Sequence, residues 1–123
     1  GWLEKQDRVA HVSYPGLKSH PSYPNAKKYF KNVAGAVLSF TLKGDRSTTA
    51  QFVERLQLIT HLTNVGDNKT LITHPASTTH GQLSDKELEQ AGIGPGTLRI
   101  SVGIEHIDDL KKDLSGSLAK CAR

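Results

Sequence analysis

The residue in this sequence best placed to do chemistry is Arg99. It stands in Thr97-Leu98-Arg99-Ile100-Ser101-Val102-Gly103, where Leu98, Ile100 and Val102 alternate with Thr97, Arg99 and Ser101. Strict alternation is the pattern of a half-buried strand, so Arg99 belongs to its polar side. A guanidinium held on a rigid strand can grip a carboxylate through two parallel hydrogen bonds. An exposed strand arginine or an intramolecular ion pair uses the same pattern, and spacing alone leaves these open. The other candidates are weaker. His74-Pro75-Ala76-Ser77-Thr78-Thr79-His80 brings two of the six histidines within one loop. Closed zinc sites need about four ligands, commonly with paired cysteines, and the sequence supplies none of that spacing. Ser77 lacks the Gly-x-Ser-x-Gly frame of a nucleophile elbow, so this stretch reads as turn chemistry. Gly92-Ile93-Gly94-Pro95-Gly96 has neither the lysine nor the serine of a phosphate loop and precedes a strand, so it reads as a connecting loop.

The elements that must position these residues follow from periodicity. Arg8–Tyr14 alternates and runs into Pro15-Gly16, a strand and turn. A short basic helix is expected from Pro24 to Lys31, with proline in its first turn. Gly35–Lys43 is a second strand, in which Leu38, Phe40 and Leu42 share a face. Phe52, Val53, Leu56 and Ile59 recur at helical spacing and predict a helix from Ser47 to about Leu62. A short strand centres on Leu71-Ile72, after the Gly66-Asp67-Asn68 turn. Ser84-Asp85-Lys86-Glu87 has the form of a capping box and opens a helix that stops at Gly92. The final helix carries Ile107, Leu110, Leu114 and Leu118 on one stripe. Asp108 and Asp109 in its first turn and Lys120 and Arg123 near its end suit the helix dipole. Trp2-Leu3-Glu4-Lys5 reads as the last turn of a helix that starts before the chain does. Strands and helices interleave, which predicts an α+β fold, an α/β sandwich of about four strands with helices packed on the sheet; strand order is not readable.

Composition narrows the class. At 123 residues the chain is expected to be one domain with its own core. No apolar run approaches the ~20 residues of a membrane span. Cys121 is the only cysteine, which excludes a disulfide framework and favours the cytoplasm. The net charge is +4, with +5 in residues 1–60 and −1 in residues 61–123. The excess comes partly from Lys18, Lys27, Lys28 and Lys31, which sit near Tyr23, Tyr29 and Phe30 but in no nucleic-acid-binding motif. A solvated helix face accounts for them, and no nucleic-acid partner is expected.

Several runs carry a more specific likeness. Asn64-Val65-Gly66-Asp67-Asn68-Lys69-Thr70-Leu71-Ile72, His74–His80, Gly92-Ile93, Leu98–Glu105 and Asp108-Asp109-Leu110 stand in the order and spacing of the carboxy-terminal domain of the Cys/Met-metabolism pyridoxal-phosphate enzymes. Val12–Leu17 with His20-Pro21, and Gly35–Phe40, resemble the opening of that domain, so the likeness covers nearly the whole chain. Ser77-Thr78-Thr79-His80 with Gln82-Leu83, and Gly103–Asp109, are most similar to the O-acetylhomoserine sulfhydrylases. Cystathionine γ-synthases, γ-lyases and methionine γ-lyases more often have methionine where Thr78 stands.

This resemblance implies that residues 1–123 are a single carboxy-terminal domain fragment of a longer cytoplasmic transferase. It implies that Arg99 binds the α-carboxylate of the amino-acid substrate. Thr70 would lie beside that carboxylate and help orient the substrate, with Gly66 and Leu71 shaping the same wall by backbone approach. The parent would replace the acetoxy group of O-acetylhomoserine with sulfide or a thiol, in methionine biosynthesis, as a homo-oligomer, expected to be a tetramer. Its cofactor, pyridoxal phosphate, would be held by the missing amino-terminal part. No cofactor, metal or catalytic residue is then expected in this fragment, which alone would be inactive. The competing expectations are another enzyme of the same family and, in a different class, a free-standing basic binding module.

Overall fold

The computed structural model describes residues 1–31 and 34–121. A 3-10 turn, Leu3–Lys5, precedes β1 (Val9–Ser13), α1 (Tyr23–Tyr29), β2 (Val37–Leu42) and α2 (Arg46–Glu54). Then follow β3 (Thr60–His61), β4 (Leu71–Thr73), α3 (Asp85–Gln90), β5 (Thr97–Ser101) and α4 (Ile107–Lys120). The strands form one sheet in the order β1-β2-β5-β4-β3. Neighbours are antiparallel except β3 and β4, which are parallel. The last strand in sequence is therefore the middle strand in space, paired along both edges.

The alternation expected in β2 and β5 is what sorts the sheet into two faces. Phe40 pairs with Leu98, Leu38 with Ile100, and Ile72 with Ile100 on the other edge. These apolar side chains meet Phe52 and Val53 of α2 and Leu110, Leu114 and Leu118 of α4 in one core. Phe40 and Phe52 contact edge to face, with ring centroids 6.3 Å apart. Burial of each such large side chain contributes roughly 1.5–3 kcal/mol. The Ser117 hydroxyl donates to the Phe52 carbonyl at 2.6 Å and ties α4 to α2. The opposite face presents Ser39, Thr41, Thr73, Thr97, Arg99 and Ser101.

Two expectations need correction. The sheet has five strands, not about four, and the additional strand lies inside the stretch assigned to a long helix ending near Leu62. The helix stops at Glu54 because the next free backbone donors go elsewhere. The Asp113 carboxylate of α4 accepts from the N–H groups of Gln57, Leu58 and Ile59 at 2.8, 2.9 and 2.9 Å. Thr60 and Leu62 then donate to the carbonyls of Thr70 and Ile72. Leu56 and Ile59 still reach the core, so their helical spacing is compatible with a path that is not a helix. Second, Ile107 does not share the buried stripe of α4 but is 55% exposed. It is the first residue of that helix, at the mouth of a cleft lined by Trp2 and Leu3. Leu3–Lys5, expected as a last helical turn, forms a 3-10 turn, with Trp2 at its start packed against the core. The other helices agree within a few residues: α1 has Pro24 in its first turn, α3 has its capping box, and Lys120 ends α4. Arg123, expected near that end, lies outside the described residues.

Candidate functional site

Arg99 is fixed by its strand. Leu98 and Ile100 on either side are buried in the core, which forces the guanidinium to the opposite face. Across the sheet it is registered with Ser39 of β2 and Thr73 of β4, so no acid stands beside it on either neighbour. The residue is half-buried. The ion pairs among the described residues join the amino terminus to Glu4, Arg46 to Asp85, and His106 to Asp108; none includes Arg99. No hydrogen-bond acceptor for its guanidinium is found among them either. A half-buried cation with five donors, for which the described residues supply no acceptor, leaves those donors open to solvent or to an added anion.

The loop between β3 and β4 reaches, at Ser101, the face of β5 that carries this cation. Asn64 accepts from the Val65 N–H at 2.8 Å, and Asp67 accepts from the Lys69 N–H at 3.0 Å, both local turn bonds. Gly66 adopts φ 81°, a conformation that other residues rarely enter, and donates its N–H to the Ser101 hydroxyl at 3.4 Å. Ser101 is two residues beyond Arg99 and on the same face, and Leu71 is registered opposite it. At the far end of the loop the Ile104 N–H donates to the Asn68 carbonyl at 2.9 Å. A Cβ on Gly103 would fall 2.2 Å from that carbonyl oxygen, so this close approach needs glycine.

Thr70, the second expected site residue, is fully buried and occupied within the chain. Its N–H and hydroxyl both donate to the Glu105 carboxylate at 2.7 Å, and its hydroxyl oxygen accepts from the Gly103 N–H at 2.9 Å. It precedes β4 by one residue and is out of phase with Thr73, the partner of Arg99. The structure therefore brings Gly66 and Leu71 to the Arg99 face through Ser101, and brings Thr70 to Glu105 instead. Burial alone would raise the Glu105 carboxyl, but the two bonds from Thr70, helped by the charge of Lys69, hold it below its ordinary range. Glu105 was not singled out from the sequence. Its only signal was its place in the Gly103-Ile104-Glu105 run, since its partner lies 35 residues away.

The His74–His80 loop is structural. His74 is fully buried, and its Nε2–H donates to the Pro95 carbonyl at 2.7 Å, because a carbonyl can only accept. That leaves Nδ1 to accept from the Ser77 hydroxyl at 2.7 Å. Burial lowers the imidazole's proton affinity, the Pro95 bond opposes this, and the charges of Arg46 and His61 reinforce it. Among the described residues no three His, Cys, Asp or Glu side chains stand together as a metal site. Nor is any helix there long and apolar enough to cross a membrane.

Comparison with known proteins follows the same outline. The family model described as Cys/Met metabolism PLP-dependent enzyme matches residues 1–119. O-acetyl-L-homoserine sulfhydrylase 1 of Thermus thermophilus is 55% identical over 96% of this chain, and homocysteine synthase of Schizosaccharomyces pombe is 51% identical over 95%. The chain spans only 28% and 27% of those two proteins. A solved structure from Campylobacter jejuni named as an O-acetylhomoserine (thiol)-lyase, containing a pyridoxyl-lysine phosphate, superposes with a TM-score of 0.86 at 42% identity. The superposition covers 97% of this chain and 28% of that one. Cystathionine gamma synthase of Xanthomonas oryzae reaches 0.85 at 36% identity, over 98% of this chain and 31% of its own.

Proposed function

The chain belongs to the Cys/Met-metabolism PLP-dependent enzymes, and from that premise we propose that residues 1–123 are the carboxy-terminal, substrate-binding domain of a longer O-acetylhomoserine sulfhydrylase. The parent exchanges acetate for sulfide or a thiol at the γ-carbon of O-acetylhomoserine; with sulfide the products are homocysteine and acetate. Arg99 carries this reading. It holds the substrate's α-carboxylate and takes no part in bond making, so its contribution is binding and orientation. Thr70 helps orient the substrate indirectly, by fixing the loop that lies over Ser101. Two relatives with sulfhydrylase or homocysteine synthase names at more than half identity support the reaction over that of a cystathionine synthase.

The described lysines do not have the setting of a cofactor lysine. A Schiff-base lysine works from a desolvated position, and here every lysine is exposed except the half-buried Lys111 on α4. Pyridoxal phosphate is therefore assigned to the remainder of the parent, and no step of its chemistry to these residues. Val65 and Ile104, 53% and 82% exposed on the segments that flank the site, offer apolar surface for that remainder to cover. The parent is taken to be a cytoplasmic homotetramer.

An absorption spectrum of the complete polypeptide tests the reading. A visible Schiff-base band that changes on adding O-acetylhomoserine is expected in the wild type. In Arg99→Ala the band should persist and its response to the same concentration should be lost. Absence of the band defeats the family reading for function, and an undiminished response in the variant defeats the role of Arg99.

A further inference from the structure

The geometry points to Glu105 as the positioning residue of the Arg99 site, acting through Thr70 on the loop of residues 64–69; this rests on the proposal that Arg99 binds the substrate carboxylate. That loop has no secondary structure of its own and is exposed along its length. Its local bonds, Asn64 to Val65 and Asp67 to Lys69, shape turns but attach it to nothing. Attachment comes from β5 and the segment that follows it. Gly66 donates to Ser101 at the near end, and at 3.4 Å that bond is weak. The far end is held by a dense cluster. One carboxylate takes two 2.7 Å bonds from Thr70, Thr70 takes one from Gly103, and Asn68 takes one from Ile104.

The cluster depends on an ionised carboxylate. Both of its oxygens are used as acceptors, one for a backbone N–H and one for a hydroxyl, and charge-assisted bonds of this length are about twice as strong as neutral ones. Removing the carboxylate leaves the buried Thr70 N–H and hydroxyl hydrogen without acceptors, and the loop keeps only its weaker attachments. Arg99 itself is untouched, because its strand is paired on both edges. What changes is the wall beside it: the Gly66 end of the loop, which lies over Ser101 two residues from Arg99. Glu105 thus acts on substrate binding through a loop that it does not belong to, and touches no reacting atom.

The test uses the complete polypeptide, with steady-state kinetics in O-acetylhomoserine and sulfide and amide hydrogen exchange at residues 64–70. Glu105→Ala is expected to raise KM for O-acetylhomoserine about tenfold with kcat changed less than about threefold, and to speed exchange across the loop. Glu105→Gln keeps one carbonyl acceptor for the Thr70 N–H and folds if the alanine variant does not. Its KM and exchange rates should fall between those of wild type and alanine. Arg99→Ala, measured alongside, should raise KM without speeding exchange in the loop. Unchanged KM in both Glu105 variants, with KM raised in Arg99→Ala, overturns the role of Glu105 and leaves Arg99 in place. A fall in kcat at unchanged KM overturns it as well. Unchanged KM in Arg99→Ala overturns the carboxylate reading and this inference together.

Discussion

A half-buried guanidinium on a strand, for which the described residues supply no acceptor, keeps its donors available to a group from outside. Arg99 is such a group, and its chemistry was legible because one local pattern, alternation in Thr97–Gly103, fixed its face. That the described residues give it no partner was not legible, because this depends on Ser39 and Thr73, which arrive from strands 60 and 26 residues away. His74 shows a different use of a buried polar group. Its depressed proton affinity means that the unfolded chain binds the proton more tightly than the folded one. Its contribution to stability is then fully present above the unfolded value of 6.5 and is lost as pH falls below it toward the lower folded value. Urea unfolding of the chain should show stability decreasing from pH 7 to pH 5. In His74→Gln, less stable overall, this part of the dependence should flatten.

The start of α3 was legible from local signals, whereas the end of α2 was not. The Ser84–Glu87 box starts α3 because each residue satisfies the other's end of one helical turn. The end of α2 is set by Asp113, 54 to 56 residues further along, and nothing within Ser47–Leu62 announces it. The same carboxylate explains how a two-residue strand survives at the sheet edge: it orders Gln57–Ile59, which deliver β3 to its parallel pairing with β4. Asp113→Ala should therefore cost about 1–3 kcal/mol and release β3 first. Hydrogen exchange at Thr60 and Leu62 should accelerate more than at Leu98 or Ile100 in β5. Uniform acceleration across the sheet would instead make Asp113 a contributor to global stability alone.

At the scale of the whole molecule, the fold class came from interleaved periodicity and the family from short runs of sequence that periodicity does not explain. The structure shows why those runs matter together. Asn64–Thr70 and Leu98–Glu105 are far apart in sequence and meet at Ser101, Ile104 and Glu105. The sheet supplies a rigid central strand for the cation, on the face away from the core packed by α2 and α4. Thr70, expected beside the substrate carboxylate, is fully buried and bonded to Glu105 and Gly103, since a motif gives a position but not the direction of a hydroxyl. The central claim is that Arg99 recognises the substrate's α-carboxylate. The most direct measurement compares kcat/KM for O-acetylhomoserine and for its α-carboxamide analogue in the complete polypeptide, with and without Arg99→Ala. A charge-assisted pair predicts that the wild type prefers the carboxylate by about tenfold or more and that this preference collapses in the variant. A preference that survives the loss of Arg99 would contradict the account, because the carboxylate would then be held by another group.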